Sequence, residues 1–300
     1  MLPGASAATP AACSSVIGPD TSRSYGPGIQ AGPGTGQELP SPVRTAGEPV
    51  PVPLERPPVS LEEVISPAAV LPHPPLLVAE LAGSAAAETA DLRAACRDVA
   101  ARLAAAGERW IAVGAAPTPS RHGPDTRGTF AGYGADVRVG LSAGAKVDPD
   151  PDPELPLPVL VAGWLRAQAG TAGERVRIDA HVLPTDTPPG EAHRTGEELA
   201  ADGDAVLLVL GDGAATHTAR APGAFDERAA AYDRAVADAL GAGDAAALDA
   251  LDPALSDALL VAGRVPWQVL AGALPHPSAA RLEHSSAPYG VAYHVAIWER

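Results

Sequence analysis

The chain has 300 residues, a formal net charge of −15 and a sequence pI near 4.8. That balance argues against nucleic acid or an anionic membrane as partner, since both call for a basic face, and no unbroken apolar stretch is long enough to span a bilayer. Hydrophobic residues make up 46% of the chain but aromatic ones only 4%, so the core is expected to rest on close alanine contacts around a few Leu/Val-rich strands.

Residues 1–62 are rich in Pro, Gly, Ser and Ala and show no apolar period. Such a segment cannot offset its ordering entropy, and a disordered tail is expected ahead of a domain at 63–300. The start Met1-Leu2-Pro3-Gly4 lacks a basic region and a continuous apolar one, and Cys13 and Cys96 make no disulfide framework. A reducing cytoplasm is the expected location.

The first strand is expected at about 64–71, where Ala68-Ala69-Val70-Leu71 runs into Pro72-His73-Pro74-Pro75. The strand would deliver His73 to the rim of a sheet. Ligands of open α/β sheets bind there, and neutral imidazole is the commonest protein metal ligand. The plain alternative is a loop histidine holding a hydrogen bond. A helix at about 85–106 closed by Gly107, a strand at Trp110–Gly114 and a short one at 136–141 follow. Asp148-Pro149-Asp150-Pro151-Asp152-Pro153 reads as a solvated linker, because a calcium loop needs a turn and a closing carboxylate. Next come a helix at 157–169, a strand at Arg175–Val182 and a helix at 189–201. Ala205–Leu210 is an unbroken apolar run that suits a central strand covered on both faces.

Gly211-Asp212-Gly213-Ala214-Ala215-Thr216-His217 leaves that strand directly. Its glycines would let backbone approach a ligand, and His217 would share a sheet edge with His73. The alternative is a Gly-rich turn with an exposed His, and no nucleotide-binding fingerprint is present here. A helix at Phe225–Leu240 and shorter ones at 244–251, 253–261 and 265–274 precede a last strand at Tyr289–Trp298. Glu283 would close a short strand before it, and its carboxylate would complete a two-His, one-carboxylate set of the kind that holds non-haem Fe(II). A surface Glu on an edge strand is the other reading. Strands alternating with helices make this an α/β protein, its sheet sandwiched by helices.

Several of these motifs recur in order: Pro-His-Pro-Pro; Gly-Asp-Gly with His217; Ala221-Pro222-Gly223; Phe225-Asp226; Tyr232-Asp233; Gly263-Arg264; Pro266-Trp267; and Ala287-Pro288-Tyr289-Gly290. Together they resemble the class III extradiol ring-cleavage dioxygenase superfamily, the protocatechuate 4,5-dioxygenase β-subunit-like fold shared by Memo-type proteins, over about 65–298. The resemblance implies a domain of that extradiol dioxygenase type, with Fe(II) held by His73, a second His and Glu283. It also implies His217 as acid/base, and Gly211, Asp212, Gly213 and Tyr289 around a small catechol-like substrate. A homo-oligomer or a partner chain would be in keeping with it. The second metal ligand is where the pattern departs: the second strand ends Gly114-Ala115-Ala116-Pro117, and the next histidine is His122. His276, in a second Leu-Pro-His-Pro, is a further candidate. Two functions stay open: a divergent Fe(II)-dependent ring-cleaving oxidoreductase, or a Memo-like binding or scaffold protein without a metal. His181, His193, His284 and His294 read as surface or satisfied core residues.

Overall fold

The computed structural model describes residues 65–144, 151–201 and 203–300. The tail at 1–62 and the stretch Asp148–Asp150 therefore lie outside the described residues. In chain order the elements are β1 (Ile65–Leu71), α1 (Ala79–Ala82), α2 (Ala90–Ala106), β2 (Arg109–Ala116), β3 (Ser120–His122), β4 (Arg127–Thr129) and β5 (Arg138–Gly140). There follow α3 (Leu157–Gln168), α4 (Gly170–Gly173), β6 (Arg177–Pro184), α5 (Pro189–Ala200), β7 (Ala205–Leu210), α6 (Ala229–Ala242) and α7 (Ala245–Asp249). The chain ends with α8 (Pro253–Ala258), α9 (Arg264–Ala273), β8 (Ala279–Ser286) and β9 (Tyr293–Glu299).

Seven strands form one mixed sheet in the order β3-β6-β2-β7-β1-β9-β8. The four central strands β6, β2, β7 and β1 are parallel; β3 at one edge and β9 beside β1 run against them, and β8, antiparallel to β9, runs in their direction again at the other edge. β4 and β5 make a separate two-stranded ribbon, and Asp152 joins it through backbone bonds to Arg127 and Thr129. β7, the apolar run Ala205–Leu210, is buried at every position, as a central parallel strand covered on both faces must be. Pro67 lies where the β1–β7 register shifts, between Ile65 and Ala68; a residue without an N–H is tolerated inside a sheet only at such an irregularity.

Alternation along the strands divides the core into two layers. Ala69, Leu71, Trp110 and Ala112 pack with Leu103 of α2 and Leu160 of α3 on one face. Ala68, Val70, Ile111 and Val113 pack with Leu240 of α6 and Trp267 of α9 on the other. Where α5 crosses α9, a Cβ at Gly272 would fall 1.9 Å from the carbonyl oxygen of His193, and one at Gly196 would fall 2.0 Å from that of Val269. Backbone meets backbone there, the kind of close contact an alanine-rich composition needs. Asp252 caps α8 by accepting from the Ala254 N–H, with Pro253 in the first turn, so an Asp-Pro pair sets the helix start.

Several boundaries differ from expectation: α6 starts at Ala229 rather than Phe225, and α8 stops at Ala258 rather than 261. The helix expected from 85 starts at Ala90, after a 3-10 turn at Gly83–Ala86. The last strand begins at Tyr293, because Tyr289 takes a left-handed conformation (φ 56°) in a turn at Pro288–Gly290. The segment around Glu283 is a full eight-residue edge strand.

Candidate functional site

The carboxyl ends of β1 and β7 lie side by side, with Leu71 opposite Leu210, so the two turns that follow them meet. The turn after β7 is tied to three neighbours. Gly211 N–H donates to Leu71 of β1, Gly213 N–H to Ala292 beside β9, and Asp212 C=O accepts from Gly263 at the start of α9. The glycines are required by this crowding. A Cβ at Gly211 would sit 2.4 Å from the Gly263 Cα, and one at Gly213 would sit 2.3 Å from Asp233 Oδ1. Protein atoms crowd the Cα of both residues, so neither position has room for a side chain.

Asp212 turns its carboxylate to the end of β1, where Oδ1 accepts the His73 backbone N–H at 2.8 Å. His73 is buried, and its Nδ1 lies 3.5 Å from the same oxygen with no hydrogen-bond partner among the described residues. Burial raises the Asp212 carboxyl above the usual carboxylate range, with His73 and His294 pulling the other way. Its charge in turn helps burial push the Cys96 thiol up to about 12 and the Tyr293 phenol upward. His73, Asp212, Cys96 and Tyr293 thus share one low-dielectric environment.

His217 stands one turn further on, its N–H bonded to the Gly290 carbonyl. Its Nε2 lies 2.5 Å from Asp233 Oδ2. Asp233, on α6, is buried and also accepts from Ala214 N–H at 3.2 Å and faces His294 Nε2 at 3.4 Å. His294 Nδ1 is 3.0 Å from Ser285 Oγ. His73 and His217 therefore come to one edge of the sheet, as their places after adjacent strands imply. Sequence reasoning did not single out Asp233 as a functional group, although Tyr232-Asp233 was among the matching motifs, and it placed His294 among the bystanders.

The other expected ligands are elsewhere. Glu283 sits on β8 with Oε1 2.5 Å from Arg102 Nη1 of α2 and 3.9 Å from Arg281 Nη1. A bulge between Leu282 and His284 turns this carboxylate onto the α2 side. His122 is on β3, and the register steps His122–Ala180–Ala112–Leu208–Ala69 cross four strand spacings. That is about 19 Å, whereas two ligands of one ion lie within about 4 Å of each other. The His122 ring bonds Ser120 Oγ at 2.9 Å, and burial lowers its pKa. His276 is exposed in the turn before β8, by the start of that strand opposite Glu299, so it belongs to the amino end of β1. Ala115 and Ala116 pair with Leu183 and Pro184 and supply no imidazole at the end of β2.

Among the described residues no group of three or more His, Cys, Asp or Glu side chains is arranged to hold a metal ion. His73 keeps the character of a ligand, a buried imidazole nitrogen without a partner, but the set implied by the resemblance does not assemble around it. Tyr289, Leu260 and Phe225 are the exposed large apolar residues of the loops nearby, at 45%, 53% and 61% exposure. Leu260 and Tyr289 are also the non-glycine residues with positive φ among those described. Both loops are bonded to the 214–217 segment, through Ala215 to Leu259 and His217 to Gly290. Strain of this kind clusters at binding sites.

No family model and no curated protein matches the chain. Among solved structures it is similar to the uncharacterized protein JW3007 from Escherichia coli K12, with 12% identity and a TM-score of 0.47. The match covers 78% of this chain and all of that one. Among the described residues no helix is long and apolar enough to cross a membrane.

Proposed function

We propose that the protein binds a small hydroxylated aromatic molecule at the carboxyl edge of β1 and β7 without holding iron there. The observation that carries this reading is the fate of the Glu283 carboxylate, which faces Arg102 on α2 rather than His73. With Ala115 and Ala116 at the end of β2, a single imidazole remains of the implied set, and one ligand leaves an ion mostly in water. The binding side of the reading rests on unmet polarity ringed by apolar surface. His73 Nδ1 and Thr216 Oγ1 are buried without partners among the described residues, while Tyr289, Leu260 and Phe225 stand exposed nearby. A phenolic hydroxyl satisfies such groups, and a ring covers such a rim.

Anaerobic titration of the protein with Fe(II), with O₂ uptake on a panel of catechols, tests the first half. Substoichiometric iron and no O₂ consumption are expected; one tightly bound iron that is lost in His73→Ala, with turnover, would establish ring cleavage instead. Calorimetric titration with catechol tests the second half. Saturable binding is expected, weakened about tenfold (about 1.4 kcal/mol) in His73→Ala. The absence of any binding would end the ligand assignment.

A further inference from the structure

The bonded chain that begins at His217 ends at the opposite side of β9, and its far end has the order of groups that activates a hydroxyl. Ser285 is exposed on the edge strand β8, directly opposite His294. His294 is 1% exposed, with Nδ1 3.0 Å from Ser285 Oγ and Nε2 3.4 Å from Asp233 Oδ1. A carboxylate only accepts hydrogen bonds. Both imidazoles facing Asp233 therefore present Nε2–H to it, which leaves His294 Nδ1 as an acceptor. The Ser285 hydroxyl then donates to that nitrogen. A nucleophile within reach of a base, and that base oriented by a third group, is the physical signature of an activated hydroxyl. In the familiar Ser-His-Asp sites the serine faces Nε2; here the two ring nitrogens exchange places.

We propose that Ser285, His294 and Asp233 form a nucleophilic site that reacts with activated acyl and phosphonyl esters, its nucleophile on β8 rather than at the ends of β1 and β7. Ser285 Oγ forms a bond to the acyl carbon as its proton passes to His294 Nδ1. The bond to the leaving oxygen breaks as His294 returns that proton to it. Water, deprotonated by the same nitrogen, then releases the carboxylic acid and restores Ser285, with no change of oxidation state. Asp233 holds the ring and stabilises its cationic form, and the Ala214 N–H and His217 Nε2 contact the same carboxylate and fix its position. β8 pairs only with β9 among the described strands, so its outer edge offers backbone N–H groups to the developing oxyanion.

The test is labelling of the full chain with a fluorophosphonate probe, followed by peptide mapping, together with release of p-nitrophenol from p-nitrophenyl acetate. One adduct on Ser285 is expected, and Ser285→Ala should abolish both the adduct and the release above background. Because only an exposed hydroxyl is removed, that variant should keep the wild-type melting temperature and catechol binding. His294→Gln should slow labelling about 100-fold, the lower end of general-base contributions. Should that variant unfold, the pH profile of wild-type labelling serves in its place, and it must rise as an imidazole loses its proton. Folded wild type without an adduct, an adduct on the neighbouring Ser286, or a rate independent of pH and of His294 would each overturn the proposal.

Discussion

Asp212 couples the candidate site to stability. Its carboxyl is raised by burial, and a group raised in the folded state favours folding while protonated. That contribution is complete below its unfolded pKa, about 3.9, and fades as pH rises through the folded value. Asp212→Asn keeps an oxygen for the His73 N–H but has no charge to desolvate. Its melting temperature should match wild type at about pH 4 and exceed it increasingly toward neutral pH. A gap that narrows over that range would mean that Asp212 is stabilised as an anion. Residues such as His73 and His217 were legible in the sequence because each follows an apolar run that stops abruptly. Glu283 was not, since its direction depends on a bulge one residue away, and a one-residue change in a strand reverses which face a side chain takes. Asp233 lay inside an ordinary helical pattern, and only the bare Cα of Gly213 makes room for it.

The helices were mostly legible from period and punctuation. α3, α5 and β7 lie within a residue or so of their expected limits, with Pro and Gly marking the ends. The short β3 and the extent of β8 were not, because edge strands here alternate polar and small residues without an apolar run. The crossing of α5 and α9 shows how much of an element's packing can depend on one hydrogen. Gly272→Ala places a methyl on the His193 carbonyl and should cost about 3 kcal/mol or more, at the upper end of overpacking. Gly190→Ala, in the first turn of the same α5 with open space around it, should be neutral or gain up to about 1 kcal/mol from helix propensity. Urea denaturation of both variants checks this; equal midpoints would show that the helices separate at little cost.

The charge of the whole chain works against compactness. A net −15 repels itself, and the exposed pairs Arg102–Glu283 and Arg175–Glu108 return little, since surface pairs are worth about 0–1 kcal/mol each. Salt should therefore stabilise. Raising NaCl from about 0.01 M to 0.1 M shortens the screening length from about 30 Å to about 10 Å. The melting temperature should rise by a few degrees; a fall would mean that specific ion pairs outweigh the repulsion.

The placing of β1 has a consequence in time. Ala68 lies opposite Leu207 on one side and Trp298 on the other, so the earliest strand described is enclosed by two that leave the ribosome much later. Until they emerge, β1 exposes both edges, and pairings between residues so distant form slowly. During synthesis the sheet stays incomplete until β9 has emerged, and its open strand edges are the kind of surface on which unfinished chains associate.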